Sequence, residues 1–214
     1  MLHDFIYYSD DPVLPASTCN NLISKFEDSP YKHAGITGTN DDKVIKPMDE
    51  IKKSTDIHIT STKGFEEEDK VCRKHLFEEI KHYQSLIEAK VPVYFSINEN
   101  MRYMGFNMQR TDPGDFYHWH SDEDAMQRKW VRSITYIFYL NDIHNDGYTE
   151  FYNGLKIQPK QGHCLIFPAT WSFVHRGYPP KDETKYIITG WIYSQMVTAV
   201  TDVAGRTRPH YEDW

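Results

Sequence analysis

Cysteine is scarce in this sequence, and the three that occur are odd in number and widely spaced. Cys19, Cys72 and Cys164 therefore do not resemble the disulfide frameworks of small secreted proteins, which use even sets of cysteines. Reduced thiols in a cytosolic type of compartment fit them better. We expect a cytoplasmic protein.

The sequence also lacks long apolar runs, a basic N-terminal segment and any cluster rich in Lys and Arg. Its first residues, "MLHDFIYYSDDPVLP", have neither the charged nor the apolar region of a secretory signal. No segment has the length of apolar run that spans a bilayer. A formal net charge of -7 disfavours a nucleic acid as principal partner. These absences predict a soluble protein with no membrane and no nucleic-acid partner.

The residues that are present predict a single domain over 1–214, in which helical support precedes a β-rich core. "FIYY" predicts an opening strand, and "LPASTCNNLISKFED" predicts a helix capped by Ser17 or Thr18. A long amphipathic helix is predicted from Glu66 to Ala89. After residue 92, short strands such as "MRYMGFNMQR", "RSITYIFYLN" and "HCLIFPA" alternate with Gly and Pro turns. Up to about residue 200, this pattern is typical of a sandwich or barrel with helices on one face.

The stretch "DFYHWHSD" is the strongest candidate for a metal site. Residues two apart in a strand share a face, so His120 and Asp122 can present an imidazole and a carboxylate to one point. His175 follows the apolar stretch "LIFPATWSF" and precedes a glycine and a proline, so it also lies at a strand end. Two histidines and one carboxylate on one side of a metal leave the opposite positions open. This arrangement is the mark of non-heme Fe(II) oxygenases.

His118 allows a different interpretation of the same stretch. It has the same parity as His120, so the two could form a zinc site with an outside ligand. The sequence has no HExxH helix and no paired cysteines, which disfavours the common zinc sites. A non-catalytic β-barrel module or zinc protein is the corresponding alternative to an oxygenase.

A buried cation is the second requirement, because an Fe(II) site of this kind needs an organic electron donor such as 2-oxoglutarate. Lys185 follows His175 after a turn, "RGYPPKDE", which can fold two antiparallel strands together. Parity along "KYIITGWI" places Lys185, Ile187, Thr189 and Trp191 on one face. A cation, a hydroxyl and an aromatic wall on one inward face form a candidate cosubstrate pocket.

From about Phe106 to Tyr193 the chain resembles the prolyl hydroxylase (prolyl 4-hydroxylase-like) branch of the Fe(II)/2-oxoglutarate-dependent dioxygenases. "DPGDFYHWHSD" is similar to the family's Pro-Gly-x-x-Tyr-x-x-His-x-Asp segment, and "RSITYIFYLND" to its Arg-x-x-Thr-x-x-x-Tyr-Leu-Asn strand. "QPKQGHCLIFPATWSFVHRGYPP" and "KYIITGW" resemble the strands that carry the distal histidine and the basic residue. The resemblance implies an α+β fold with a double-stranded β-helix (jelly-roll) core and supporting N-terminal helices.

The resemblance also implies roles for particular residues. His120, Asp122 and His175 would bind Fe(II). Lys185 would pair with the 2-oxoglutarate C5 carboxylate, and Tyr139 would assist it. The pocket would further be lined by Thr149, Thr189 and Trp191, and the substrate would be contacted by Tyr117 and Arg132. Arg132 and Tyr139 fall on opposite faces of an ideal strand, so a bulge or a late strand start near Arg132 is required.

Three positions depart from the family pattern. Thr111 stands where some members have a second pocket tyrosine, and Asp146-Gly147 replaces the usual Gly-Gly. Lys185 stands where most family members that recognise hypoxia factors have arginine, and is closer to the collagen-type and microbial enzymes. These departures concern the identity of the substrate more than the use of the cosubstrate.

The function expected from these observations is hydroxylation of prolyl residues in a peptide or protein, as in procollagen-proline-type prolyl 4-hydroxylases. O2 and 2-oxoglutarate would be consumed with succinate and CO2 as co-products, and ascorbate is a further candidate cofactor. An alternative substrate is a free amino acid, another side chain or an alkylated base, although the acidic "DEDA" beside Asp122 disfavours a nucleic acid. We expect the segments Thr37 to Pro47 and Glu123 to Lys129 to act as lids, the first of them mobile without substrate.

Overall fold

The structure is a computed structural model that describes residues 2–37, 47–91, 101–123, 125–126, 130–195, 199–201 and 207–209. The predicted lid segments and the C-terminal tail therefore lie largely outside the described residues. The helices are α1 (Ala16–Asp28) and α2 (Glu66–Lys90), with short 3-10 turns at Leu2–Phe5, Ile59–Ser61 and Trp171–Phe173. The strands are β1 (Tyr7–Tyr8), β2 (His33–Ala34), β3 (Thr55–His58), β4 (Met101–Tyr103), β5 (Asn107–Thr111), β6 (Tyr117–His120), β7 (Ala125–Met126), β8 (Trp130–Tyr139), β9 (Thr149–Phe151), β10 (Lys156–Ile157), β11 (Cys164–Pro168), β12 (His175–Gly177), β13 (Lys185–Gln195), β14 (Ala199–Thr201) and β15 (Thr207–Pro209).

Two antiparallel sheets build the core. In the described part of the chain, the larger sheet runs β1-β11-β8-β13-β5-β3-β2, with β4 on β13 and β7 on β8, and the smaller runs β10-β9-β12-β6. One face of the larger sheet packs against α1 and α2, and the other packs across a second apolar cluster onto the smaller sheet. This is the expected α+β fold with a jelly-roll core and supporting helices. Strands β1 to β3 join the larger sheet, so the first 92 residues contribute strands as well as helices.

Both predicted helices are confirmed, but the predicted cap of the first is wrong. Ser17 and Thr18 lie inside the first turn of α1, and Pro15 occupies the capping position without any side-chain hydrogen bond. The carbonyl of Pro15 begins the helix by accepting hydrogen bonds from the amides of Thr18 and Cys19. Proline is suited to this position because its ring fixes φ and it has no amide hydrogen to satisfy.

Two predicted strands are shorter than their apolar runs. In "FIYY", only Tyr7 and Tyr8 pair with β11, because Phe5 belongs to a 3-10 turn. "MRYMGFNMQR" is divided at Gly105, whose φ of +111° is a backbone conformation that glycine adopts readily and other residues rarely do. The break lets β4 pair with the C-terminal half of β13 while β5 pairs with its N-terminal half.

The three cysteines are free and buried, as their scattered positions predict. None of the helices in the described ranges combines the length and apolar character needed to cross a membrane.

Candidate functional site

The ends of β6 and β12 bring His120, Asp122 and His175 together. His175 is paired with His120 in the antiparallel register, and Asp122 follows two residues after His120. His120 Nε2 lies 3.7 Å from one Asp122 carboxylate oxygen, and His175 Nε2 lies 3.7 Å from the other. One ligand atom from each residue falls within 4.8 Å of those of the other two, so the three side chains could hold one metal ion.

Backbone carbonyls orient both imidazoles. His120 Nδ1 is 2.7 Å from the carbonyl of His118, and His175 Nδ1 is 3.0 Å from the carbonyl of Phe173. Because a carbonyl only accepts, each Nδ1 carries the hydrogen and each Nε2 keeps its lone pair toward Asp122. A metal ligand requires this tautomer.

The carboxylate of Asp122 is buried and held in its ionised form. Thr135, on β8, donates its hydroxyl to Asp122 Oδ2 at 2.7 Å. Burial acts to raise the pKa of Asp122, but the two histidines and the Thr135 hydrogen bond outweigh it and lower that pKa. Burial, followed by the proximity of His175, lowers the pKa of His120. A neutral imidazole and a charged carboxylate are the forms that bind a metal.

The Thr135 hydrogen bond supports a first prediction. We expect Thr135→Val to weaken Fe(II) binding by about 10- to 100-fold, because groups that orient a ligand typically contribute that much. Titration of the metal-free protein with Fe(II) under anaerobic conditions measures the change. Thr135→Ser keeps the hydroxyl and serves as the control. Equal affinities of the valine variant and the parent protein would show that Asp122 needs no such support.

A bulge in β6 separates His118 from the cluster. His175 pairs with His120, and Gly177 pairs with Tyr117, so β6 contains one more residue than β12 over this interval. Tyr117 and His120 therefore face the same side, where their rings stack at 3.6 Å. His118 is exposed and is not part of the three-residue cluster, so its predicted parity with His120 is not realised.

Lys185 is a buried cation without an anionic partner among the described residues. Only 4% of its surface is exposed, and its Nζ donates to the carbonyl of Gly147 at 2.9 Å. Burial lowers the pKa of Lys185 to about 8. A buried ammonium group is costly unless a charge compensates it, so this site favours an anionic ligand.

Gly177 lies close to both Lys185 and Tyr117, whose ring stacks on His120. It lies two residues after His175 and therefore on the same face of β12. A Cβ at this position would lie 3.5 Å from Tyr117 Cβ and 3.8 Å from Lys185 Nζ. Lys185 Nζ and the metal cluster therefore lie on the same side of β12, and we call the region between them the cup.

The remaining residues predicted to bind a cosubstrate line the interior of the two sheets. The Tyr139 hydroxyl lies 2.7 Å from Thr149 Oγ1, and both side chains are buried. Thr189 donates its hydroxyl to the carbonyl of Tyr136 at 3.1 Å. The buried indole nitrogen of Trp191 has no hydrogen-bond partner within the described ranges. A site with an unused donor and an unpaired cation can still bind a polar ligand.

Arg132 reaches the same interior because β8 contains the bulge that its spacing required. Tyr193 pairs with Arg132 while Ile192 pairs with Ile134, so Ser133 is the extra residue. The Arg132 guanidinium lies 3.7 Å from the centre of the Trp191 ring. Its Nη1 also donates to the Asp122 carbonyl at 3.4 Å, which places Arg132 beside the metal cluster.

Sequence reasoning did not single out Lys52, which packs behind Tyr117. Lys52 is buried, its Nζ is 2.7 Å from Asp56 Oδ2, and it lies 5.4 Å from the centre of the Tyr117 ring. Asp56 also accepts hydrogen bonds from Ser54 and Asn107. In the sequence, "DEIKKST" is typical of a solvated loop. Only the bridge between Lys52 and Tyr117, distant in the sequence, buries it.

We expect Lys52→Met to destabilise the protein by about 3–5 kcal/mol, because it leaves a buried carboxylate unpaired. Urea unfolding measures this loss. Lys53→Met is a matched control, since Lys53 is exposed and pairs with Asp115 at the surface, where ion pairs contribute little. If both variants unfold at the same urea concentration, the buried pair does not stabilise this region.

The jelly-roll fold with a one-sided His-Asp-His cluster beside a buried cation defines a non-heme iron oxygenase type of site. Residues 106–193 match the family model of the 2OG-Fe(II) oxygenase superfamily. The family model covers about two-fifths of the chain, and this is the similarity that the sequence motifs predict. This similarity supports dioxygenase chemistry and implies Fe(II), 2-oxoglutarate and O2.

Solved structures with the same fold include several prolyl hydroxylases. The viral collagen prolyl hydroxylase of Paramecium Bursaria Chlorella virus-1, in its 2OG complex, is 19% identical with a TM-score of 0.62, over 89% of this chain and 96% of that one. The Trichoplax adhaerens prolyl hydroxylase, in complex with a hypoxia inducible factor peptide fragment, is 17% identical with a TM-score of 0.65, over 89% and 84%. A Pseudomonas putida prolyl-4-hydroxylase is 16% identical with a TM-score of 0.55, over 87% and 91%. Among curated protein sequences, no match to this chain was found.

Proposed function

We propose that this protein is an Fe(II)- and 2-oxoglutarate-dependent dioxygenase that hydroxylates prolyl residues in a peptide or protein. The observation that carries the proposal is the cup, in which an unpaired buried lysine faces the recess beside a His-Asp-His cluster. The other buried lysine of the described residues, Lys52, is paired with Asp56. A lysine left without an anion in the same recess as three metal ligands is explained by an anionic cosubstrate.

The metal would be held by His120, Asp122 and His175. Their donor set, two neutral imidazoles and one carboxylate, is suited to Fe(II) and leaves coordination positions open. The carbonyls of His118 and Phe173 hold the rings, and Thr135 holds the carboxylate, so the ligands need little rearrangement to bind.

The cosubstrate 2-oxoglutarate would extend from the metal toward Lys185. The ammonium group would pair with its distal carboxylate, and Gly177 would leave the space for that carboxylate. The Tyr139 hydroxyl would assist Lys185, and Thr149, Thr189 and Trp191 would line the pocket. Iron and 2-oxoglutarate, when bound, supply the activation of O2 and the transfer of one oxygen atom to a C–H bond, with succinate and CO2 as co-products.

The chain itself supplies position and shielding from water. Apolar side chains of the two sheets surround the pocket, which excludes solvent from the reacting groups. Tyr117 and Arg132 flank the metal cluster and would hold the substrate. The ring of Tyr117 is supported by His120 on one side and Lys52 on the other, and Arg132 is supported by Trp191. A substrate group held between such supported side chains is placed for reaction without a further ordering cost.

The prolyl substrate is supported by similarity to other proteins. The structures of similar fold that are described above are named as prolyl hydroxylases, and the sequence motifs that carry Tyr117 and Arg132 resemble that branch. A lysine at the basic position is closer to the collagen-type and microbial enzymes than to those acting on hypoxia factors. We therefore propose procollagen-proline-type prolyl 4-hydroxylase activity.

The experiment that tests this function combines two measurements. The full chain is incubated with Fe(II), 2-oxoglutarate and a panel of proline peptides, and succinate release is followed with and without ascorbate. Mass spectrometry then locates the added oxygen atom. We expect peptide-dependent succinate release and one oxygen atom added to proline, whereas peptides with alanine in place of proline give neither. Oxygen added only to another residue would overturn the prolyl assignment, and no release with any peptide would overturn the peptide substrate.

A further inference from the structure

The outer face of the smaller sheet carries a row of aromatic rings and cations. On β9 and β12, residues that alternate with inward ones such as Thr149, Phe151 and His175 point away from the core. On β6, Trp119 directly precedes the inward-facing His120 and contacts Arg176 on the same outer side. We call this surface the aromatic face; its members are Trp119, Tyr152, Lys156, Arg176 and Tyr178, and Tyr148 is buried beneath Lys156 and Tyr178.

One half of the aromatic face joins β10 to β12. Lys156 Nζ lies 4.5 Å from the centre of the Tyr148 ring, and Tyr148 stacks on Tyr178 with centroids 4.5 Å apart and planes at 14°. The Arg176 guanidinium lies 4.9 Å from the centre of the Tyr178 ring. These contacts keep the rings in fixed positions.

The other half continues from β12 to β6 and ends in solvent. The same Arg176 guanidinium lies 4.5 Å from the centre of the Trp119 ring, whose neighbour Tyr152 contacts it edge-on at 5.6 Å. Tyr152 is 79% exposed, so its ring buries little apolar surface and contributes little to the stability of the fold. The structure of the chain alone does not account for such a row leading to an open ring.

Charge on the aromatic face is largely neutralised within the sheet. Arg176 Nε donates to Glu150 Oε2 at 2.7 Å, and its Nη2 lies 2.6 Å from the same oxygen. Lys156 Nζ is 3.9 Å from the other oxygen of Glu150. With the guanidinium committed to Glu150, the face offers flat rings and hydroxyl groups more than free cations. The phosphate backbone of a nucleic acid would be attracted only weakly to this surface, because few of its positive charges are unneutralised.

The aromatic face lies directly behind the candidate metal cluster. Trp119 immediately precedes His120, and Arg176 immediately follows His175. β6 is the terminal strand of the smaller sheet, and residues 51–53 bridge to its outer edge around Tyr117. A polypeptide with one residue in the cup would therefore pass the His120 end of β6, beyond this bridge, to reach the aromatic face.

We propose that the aromatic face binds an extended proline-rich segment of the substrate polypeptide, beyond the residue that enters the cup. The proposal rests on the prolyl hydroxylase function above. Proline-rich segments adopt the polyproline II helix and dock on aromatic-lined surfaces at low entropic cost. Four strands about 4.8 Å apart cover about 14 Å. This width corresponds to about five residues of polyproline II at about 3.1 Å per residue.

The test is the affinity of the full chain for a labelled oligoproline of about twelve residues, which is longer than the face. Fluorescence anisotropy is recorded without added iron, so no turnover takes place. We expect Tyr152→Ala to weaken binding about tenfold, as loss of one well-placed aromatic contact does. Tyr152→Phe keeps the ring and should bind within about twofold of the parent protein. Tyr31→Ala removes a tyrosine that is 56% exposed elsewhere and should have no effect.

Each outcome supports or overturns the proposal. Unchanged oligoproline binding by Tyr152→Ala, with an unchanged thermal unfolding curve, overturns it. So does stronger Tyr152-dependent binding of a labelled oligothymidine of the same length. Because the anisotropy needs no catalysis, it is independent of the hydroxylation assay. Tyr152-dependent oligoproline binding without prolyl hydroxylation would reject the proposed function, whereas prolyl hydroxylation with no role for Tyr152 would reject only the aromatic face.

Discussion

Replacing Asp122 by alanine is expected to abolish Fe(II) binding and 2-oxoglutarate turnover. Asp122 is the only anion in the three-residue cluster, and it lies 3.7 Å from both His120 Nε2 and His175 Nε2. Without it, two neutral imidazoles would have to hold a divalent cation in a buried site. Loss of a group that merely orients a ligand costs about 10- to 100-fold in affinity, so loss of the ligand itself should exceed about 1000-fold.

The measurement combines anaerobic Fe(II) titration with succinate release. Glu123→Gln is the matched control, because it removes a carboxylate at the next position, which is exposed and accepts a hydrogen bond from the Trp171 amide. We expect the control to bind Fe(II) normally, which excludes a general effect of lowering the local negative charge. Fe(II) affinity of Asp122→Ala within about tenfold of the parent protein would be incompatible with its role as a ligand.

Replacing Lys185 by methionine is expected to have opposite effects on stability and on cosubstrate binding. Burial lowers the pKa of Lys185 from 10.5 to about 8, so the unfolded state holds this proton more tightly than the folded state. The folded state therefore loses stability as pH falls from about 10.5 to about 8, and the loss is complete below that range. Each unit of pKa shift corresponds to about 1.4 kcal/mol, which makes the loss about 3 kcal/mol at neutral pH.

Lys185→Met removes this penalty along with the hydrogen bond to the Gly147 carbonyl, which is worth about 1 kcal/mol. We expect the ligand-free variant to melt about 4–8 °C above the parent protein at neutral pH, given about 2–4 °C per kcal/mol for this size. The difference should narrow as the pH rises from about 8 toward 10. Lys181→Met is the control, because Lys181 is exposed. Its melting temperature should equal that of the parent protein.

The same variant is expected to lose 2-oxoglutarate binding, because the distal carboxylate would enter a buried recess without a cation. In the parent protein, 2-oxoglutarate should raise the melting temperature, and its affinity should fall above about pH 8 as the lysine loses its proton. In the variant, 2-oxoglutarate should leave the melting temperature unchanged. A stabilised variant that still binds 2-oxoglutarate tightly would refute the proposed role of Lys185. A variant less stable than the parent would refute the burial penalty.

Local patterns in the sequence were sufficient for the helices, most strands and the grouping of candidate residues. Helical spacing predicts α1 and α2 within a few residues, since one face of each helix must be apolar to pack on the larger sheet. Alternation predicts the inward set on β13 that begins at Lys185, because side chains of a strand alternate between its faces. Helical spacing and strand alternation depend only on residues that are near one another in the chain, so they can be read from a single sequence.

The features that escaped sequence reasoning depend on residues far apart in the chain. The cap of α1 was assigned to Ser17 or Thr18 because their side chains can cap, but the path of the chain leaves that position to Pro15. The burial of Lys52 requires Tyr117 and Asp56 around it. No periodicity in the sequence marks such a contact.

The sequence alone identified the candidate residues for a metal and cosubstrate site in this protein, namely the His-x-Asp pair, the distant histidine and the lysine at the start of β13. Tertiary structure decided how they are arranged. The bulge in β6 turns His118 outward and Tyr117 toward His120, and the bulge at Ser133 brings Arg132 inward. The physical reason is that a bulge is created by the register between two strands, and that register results from packing both sheets around one core.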